Sequence, residues 1–161
     1  MSLRSIFSKL SILLLGIVAA ALSPAIAQTT PPVSAPTTPD LENMLVLDLS
    51  TGGRVTIQMF PAVAPAHVER IKTLTRQGFY NGVIFHRVVQ GFVAQTGGYT
   101  ADMTQKAVTT NVINESGNGL GNLRGTVGFA RSNEPHSGTS QFYINLADNI
   151  DLNPRPTRWG Y

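Results

Sequence analysis

Hydrophobic and polar positions alternate with a period of two from Met44 to Leu49, placing Leu45, Leu47 and Leu49 on one face and Asp48 on the other. Ser50-Thr51-Gly52-Gly53 breaks the pattern, and Arg54 to Met59 resumes it with Val55, Ile57 and Met59 together. Two alternating runs joined by a glycine turn predict a β-hairpin with one face packed on a core. The period then changes. Val68, Ile71 and Leu74 recur at helical spacing, Pro65 suits a first turn and Gly78 supplies a stop. One helix is predicted, with His67 and Glu69 on its solvated side.

The stretch 84–100, IFHRVVQGFVAQTGGYT, predicts strands near Val83–Val89 and Phe92–Gln95 with a turn at Gly91. Only 13% of the residues are charged, so an arginine set among Val, Ile and Phe needs a reason. Either the stem of Arg87 packs on its neighbours while the head reaches the rim, or the guanidinium is a polar handle in an apolar groove that binds a carbonyl or a weakly basic nitrogen. A polar loop from Tyr99 to Gly121 follows. Gly125–Arg131 (GTVGFAR) reads as a short strand, and SQFYINL as another. Alternation in the latter sets Gln141, Tyr143 and Asn145 on one face and Phe142, Ile144 and Leu146 on a core-like face. The first face offers an amide beside an aromatic ring, a suitable lining for a peptide groove.

The N-terminus changes the picture. Arg4 and Lys9 precede an uncharged run from Leu10 to Leu22, too short for a span of roughly 20 residues. Ala25-Ile26-Ala27 follows as a small-x-small pattern, so residues 1–27 read as a signal peptide cut after Ala27, with export to the periplasm or beyond the cell. No stable membrane insertion is expected after cleavage. Removing Arg4 and Lys9 takes the formal charge from +3 to +1, and no basic stripe remains to suggest nucleic acid. Residues 28–42 read as a Thr/Pro-rich spacer, and 43–161 as one domain. The absence of cysteine excludes a disulfide framework and thiol chemistry, leaving stability to a packed core.

Other chemistry is poorly supported. Gly117, Gly119 and Gly121 lack a feeding strand, and Arg124 stands where a phosphate-loop fingerprint needs glycine. Asn114-Glu115-Ser116 fits a glycosylation acceptor, a pattern common by chance. His67, His86 and His136 have no ligand spacing, so no metal is expected, and no cofactor is implied. Ser137 and Ser140 lie in no nucleophile elbow.

FHRVVQGFVAQTGGYT resembles the central signature of the cyclophilins, and GTVGFAR with HSGTSQFYINLADN resembles their second block. The resemblance runs from about Met44 to Tyr161. It implies a mainly β fold, an eight-stranded antiparallel β-barrel with capping helices, whose last strands and helix are not within this chain. It also implies peptidyl-prolyl cis-trans isomerase activity on proline-containing peptides and folding exported proteins, by a monomer. Arg87 falls on the family's catalytic arginine and Gln95 on the glutamine that positions it. Phe92 falls on the floor of the proline pocket, and Val93 stands where methionine is usual. Ala130 and Arg131 match the pair whose backbone receives substrate, Gln141 and Tyr143 the pocket wall, Leu152 its edge, and Tyr161 a position often held by histidine. Two departures stand out: Thr96 replaces a usual glycine, and Asp151 or a neighbour stands where members that bind cyclosporin have tryptophan. The alternative from another class is a noncatalytic proline-peptide binding or chaperone module, for which Arg87 and Gln95 would be superfluous.

Overall fold

The computed structural model describes residues 40–155 and 160. The signal peptide 1–27, residues 28–39 of the spacer, and Tyr161 lie outside the described residues. A 3-10 turn at Leu41–Asn43 leads into β1 (Met44–Asp48), which pairs antiparallel with β2 (Arg54–Gln58). The register sets Leu45 against Ile57 and Leu47 against Val55, so the alternation seen along each strand also matches across the pair. Gly52 and Gly53, at φ +83° and +94°, make the left-handed turn that other residues resist. Beyond it, the Arg54 Nε donates to Asp48 Oδ1 at 2.7 Å across the hairpin end.

Helix α1 (Pro65–Arg76) buries Val68, Ile71 and Leu74 and ends at Gly78, φ +69°. Ile71 meets Leu45 and Phe142 at the centre of the core, with Leu47, Ile57, Met59, Tyr80 and Phe129 packed around them. Burying each such side chain stabilises the fold by about 1.5–3 kcal/mol. The four remaining strands are β3 (Arg87–Val88), β4 (Val93–Thr96), β5 (Val127–Phe129) and β6 (Phe142–Asn145). They form one antiparallel sheet in the order β3-β4-β6-β5. The chain is thus mainly β with antiparallel pairing throughout, as expected, with six strands formed among the described residues.

The strand expected near Val83–Val89 is shorter than its composition suggests. Val83 bridges Thr100, Ile84 N–H donates to the Tyr99 carbonyl, and the Ile84 carbonyl accepts the Thr96 hydroxyl. Only Arg87 and Val88 remain to pair with β4. The loop from Tyr99 to Gly121 holds isolated bridges instead of strands. It is tied to α1 by Arg70, which donates to the carbonyls of Thr110 (2.7 Å) and Thr139 (2.9 Å). A cavity of about 560 Å³ lies between the hairpin, α1 and the β5–β6 side, lined by residues such as Ile57, Val68, Phe129 and Ile144.

His67 is not on a solvated face. Its ring packs edge-on against Phe129 at 4.6 Å, and its Nδ1 lies 2.6 Å from Glu115 Oε2. The helix has no side-chain cap of its own at Ala64, and the carboxylate of Glu115 takes that place by accepting the N–H groups of Ala66 and His67, each at 3.1 Å. The same contacts leave the Asn114-Glu115-Ser116 pattern in a poor position for modification, with Ser116 buried and Asn114 Nδ2 donating to the Gly160 carbonyl.

Burial acts to raise the Glu115 pKa, but the hydrogen bonds from Ala66, His67 and the imidazole outweigh it and hold the carboxyl below its ordinary value of 4.5. A folded-state pKa below the unfolded one adds stability that is present above the ordinary carboxylate range and lost as pH falls through the lowered value. Urea unfolding between pH 7 and pH 3 should therefore show an acid-side loss that Glu115→Gln reduces. Glu115→Ala should cost about 1 kcal/mol at pH 7.

Candidate functional site

The pairing of β3, β4, β6 and β5 sets Arg87 opposite Gln95, Gln95 opposite Tyr143, and Tyr143 opposite Gly128. Directly paired residues share a face, so these four form one row across the sheet. Arg87 Nη1 donates to Gln95 Oε1 at 3.3 Å, and Gln95 Nε2 donates to Gln141 Oε1 at 2.9 Å. The chain of amides fixes which end of Gln95 faces the guanidinium. Arg87 also stands over the Phe92 ring, 5.6 Å from its centroid. Arg87 is exposed and Phe92 half-buried, so a cation and an aromatic face are presented together at the surface.

Local backbone explains how so short a strand holds the arginine. The turn between β3 and β4 places Gly91 at φ +71° and closes with Phe92 N–H on the Val89 carbonyl at 3.0 Å. Val89 N–H returns to the Val93 carbonyl at 2.8 Å. Gln141 lies against Gly98, where a Cβ would come within 2.5 Å of its amide nitrogen. The glycine after Gly97 therefore admits the glutamine side chain.

Beside Arg87, the imidazole of His86 is held below its ordinary pKa. Burial is the main cause and the Arg87 charge adds to it, while hydrogen bonds with the Ile84 backbone and the Gln141 side chain act the other way. At neutral pH His86 is uncharged, which avoids a second positive charge beside the guanidinium.

Of the residues singled out in the sequence, the structure brings together Arg87, Phe92, Gln95 and Gln141 in direct contact, with Tyr143 next in the row. Ala130 joins them through its N–H, which donates to the Gln141 carbonyl at 2.8 Å. Val93 is 1% exposed and packs inside the sheet opposite Asn145. Two residues before Gln95, its side chain shares the face of the Arg87–Gln95–Tyr143 row but is covered by its neighbours. Leu152 is half-buried on a 3-10 turn, Ile150–Leu152. Arg131 points elsewhere, its Nε donating to the Gly160 carbonyl at 3.1 Å and its Nη1 to that of Ser132 at 2.8 Å.

Phe142 on the expected core face of β6 is buried at the centre of the core, but the opposite face is buried as well. Tyr143 and Asn145 are 4% and 1% exposed, whereas Leu146, assigned to the core side, is 36% exposed. The polar atoms are tolerated inside because each has a partner. The Tyr143 hydroxyl donates to Asn122 Oδ1 at 2.7 Å, and Asn145 Nδ2 donates to Thr126 Oγ1 at 2.9 Å. Asn122 and Asn149 were not singled out in the sequence. Asn122 takes the tyrosine hydroxyl, and Asn149 Nδ2 donates to the Phe92 carbonyl at 2.9 Å. Asn122, Asn145, Asn149 and Asn153 form hydrogen bonds with one another beside this surface. A cluster of short amides around a strand is the signal that could have drawn attention to them.

Residues 46–161 match the family described as cyclophilin type peptidyl-prolyl cis-trans isomerase/CLD. The chain is 43% identical over 141 residues to peptidyl-prolyl cis-trans isomerase A of Dickeya dadantii (strain 3937), covering 88% of this chain and 68% of the relative. It is 46% identical over 112 residues to peptidyl-prolyl cis-trans isomerase B of Escherichia coli (strain K12), covering 68% of each. Cyclophilin AquaCyp293 from Hirschia baltica shares the fold with TM-score 0.54 at 23% identity, over 73% of this chain and 62% of that one. A Cryptosporidium parvum cyclophilin type isomerase, crystallised in the presence of the dipeptide Ala-Pro, has TM-score 0.54 at 23% identity, over 67% of this chain and 69% of that one. The chain thus spans about two thirds of the length of these proteins.

The row of paired residues yields a packing test. A Cβ on Gly128 would stand 2.2 Å from the Tyr143 hydroxyl oxygen, so Gly128→Ala must push the ring off its bond to Asn122. Thermal or urea unfolding should show a loss of about 1–3 kcal/mol. Adding Tyr143→Leu should return part of it, because the ring atoms that would stand 2.2–2.9 Å from the new Cβ are gone, whereas Tyr143→Phe keeps two of them.

Proposed function

The chain belongs to the cyclophilin-type peptidyl-prolyl cis-trans isomerases, and from that premise we propose that it accelerates rotation about X–Pro bonds in exported proteins, with Arg87 as the group that stabilises the twisted bond. One observation carries the assignment of the site: an exposed guanidinium is oriented by Gln95 and Gln141 directly beside the Phe92 ring.

The X–Pro bond resists rotation with a barrier of roughly 18–20 kcal/mol. A millionfold acceleration needs about 8 kcal/mol removed from it. No nucleophile or proton shuttle is called for. At the twisted geometry amide resonance is lost and the proline nitrogen regains a lone pair. A donor held by Gln95 can bond that lone pair, which the planar ground state does not offer. One preorganised donor is typically worth about 3–4 kcal/mol. The rest would come from holding the proline ring on Phe92 while the preceding residue turns. In this scheme Gln141 and Leu152 bound the proline site, the buried Tyr143 and Val93 pack beside Gln95 on the same face of the sheet, and the backbone at Ala130 and Arg131 receives the flanking peptide. Tyr161 is assigned to the site by resemblance alone.

Export is the second part of the proposal. It is supported by the cationic start, the apolar run Leu10–Leu22 and Ala25-Ile26-Ala27. The substrates would then be proline-containing segments of proteins folding outside the cytoplasm.

Exchange NMR on a short Ala-Pro peptide, with and without the chain lacking residues 1–27, tests the activity. Accelerated cis–trans exchange is expected. Arg87→Ala should lower turnover by roughly a hundredfold to a thousandfold, while Phe92→Ala should mainly weaken peptide binding. A folded chain that binds the peptide without accelerating exchange would support the noncatalytic module instead.

A further inference from the structure

Asn149 ties the Phe92 end of the β4–β6 ladder to the turn that follows, with its side chain on the ladder and its backbone on the turn. Its Nδ2 donates to the Phe92 carbonyl at 2.9 Å and to Asn145 Oδ1 at 2.7 Å. The Phe92 carbonyl also accepts Leu146 N–H at 2.8 Å, so both its lone pairs are engaged. The backbone of Asn149 faces the other way. Its N–H donates to the Asn122 carbonyl at 2.7 Å, and its carbonyl accepts Leu152 N–H at 2.9 Å. At the far end of the same turn, Asn153 Oδ1 accepts both the N–H and the Nδ2 of Asn122, at 2.8 and 3.0 Å. The turn Ile150–Leu152 is therefore bracketed by two asparagines, and the first of them grips the residue under the arginine.

We propose that Asn149 is a positioning residue for the isomerase, setting the gap between Phe92 at the floor of the proline site and the turn that carries Leu152, and thereby the size of ring the site accepts. This rests on the isomerase reading given above. Asn149 touches no reacting atom. Its side chain acts on the Phe92 carbonyl and its backbone carbonyl holds the Leu152 N–H, so a side-chain substitution loosens the first contact and lets the turn shift relative to Phe92. An aspartate of the same shape would turn a carboxylate oxygen toward two acceptors, the Phe92 carbonyl and Asn145 Oδ1, and would push them apart. Protonation would restore one donor.

The test compares the chain lacking residues 1–27 with its Asn149→Asp variant, using exchange NMR on two peptides that differ only in proline or six-membered pipecolic acid after alanine. At pH 7.5 the variant should show KM for the proline peptide raised roughly tenfold with kcat less affected, and a smaller preference for proline over pipecolic acid. At pH 5 the variant should recover part of both. The parent chain is run at both values because His86 stands beside Arg87, Asp148, which accepts Arg124 N–H through Oδ1, precedes the turn, and Asp151, paired with Arg155, lies within it. If the aspartate variant does not fold, Asn149→Ser removes the donor pair without adding charge and should narrow the same preference. A folded variant with unchanged KM and ring preference would overturn the positioning role while leaving the isomerase intact. So would a loss confined to kcat. A parent chain that does not accelerate exchange would overturn the isomerase reading and the positioning role with it.

Discussion

The pairing of β4 with β6 is the constraint on which the site depends. Four antiparallel contacts, from Val93 with Asn145 to Thr96 with Phe142, join residues about 50 positions apart in the chain. That register sets Gln95 beside Tyr143 and within reach of Gln141, and it leaves Gln95 Oε1 free to take the Arg87 guanidinium. A slip of one residue would turn Gln95 to the opposite face and leave Arg87 with no oriented partner. The register is secured where it would be costly to change. Val93, Thr96, Phe142 and Asn145 are all buried, and Asn145 is satisfied by partners that exist only in this alignment.

Polar atoms inside a small β domain are a hazard unless each is matched. Around β6 they form a connected set: Tyr143 and Asn145 on Asn122, Asn122 on Asn153, and Asn149 on Asn145 and Phe92. Asparagine suits this work because its short side chain offers a carbonyl and two N–H donors in fixed directions. The set meets the row that begins at Arg87 at Tyr143, so the surface that meets solvent is held by amide geometry as much as by apolar packing.

Local periodicity made much of the fold legible. The hairpin and α1 followed from alternation and helical spacing, because each element buries one face and its sequence records that face. Arg87 and Gln95 were close enough in sequence to be read as neighbours across one tight turn. What escaped was set by partners distant in the chain. Alternation in β6 marks Phe142 for the core but does not show that the opposite face is buried too, which depends on Asn122, 21 positions before Tyr143. His67 looked solvated on the helical wheel because Glu115 lies 48 residues away. The strand before Arg87 was overextended because the competing bonds of Ile84 come from Tyr99 and Thr96.

That remote cap on α1 also bears on the order in which structure can form. A helix capped by its own neighbours can complete its first turn alone, whereas this one must wait until the chain has closed a loop of nearly 50 residues. Until then the amides of Ala66 and His67 have only water for partners and the N-terminal turn frays. In the native protein the same two amides would become exchangeable when the 99–121 loop lifts away, even with the rest of α1 still wound. Their hydrogen-exchange rates thus report the attachment of the loop, while the amides in the middle of the helix report the core.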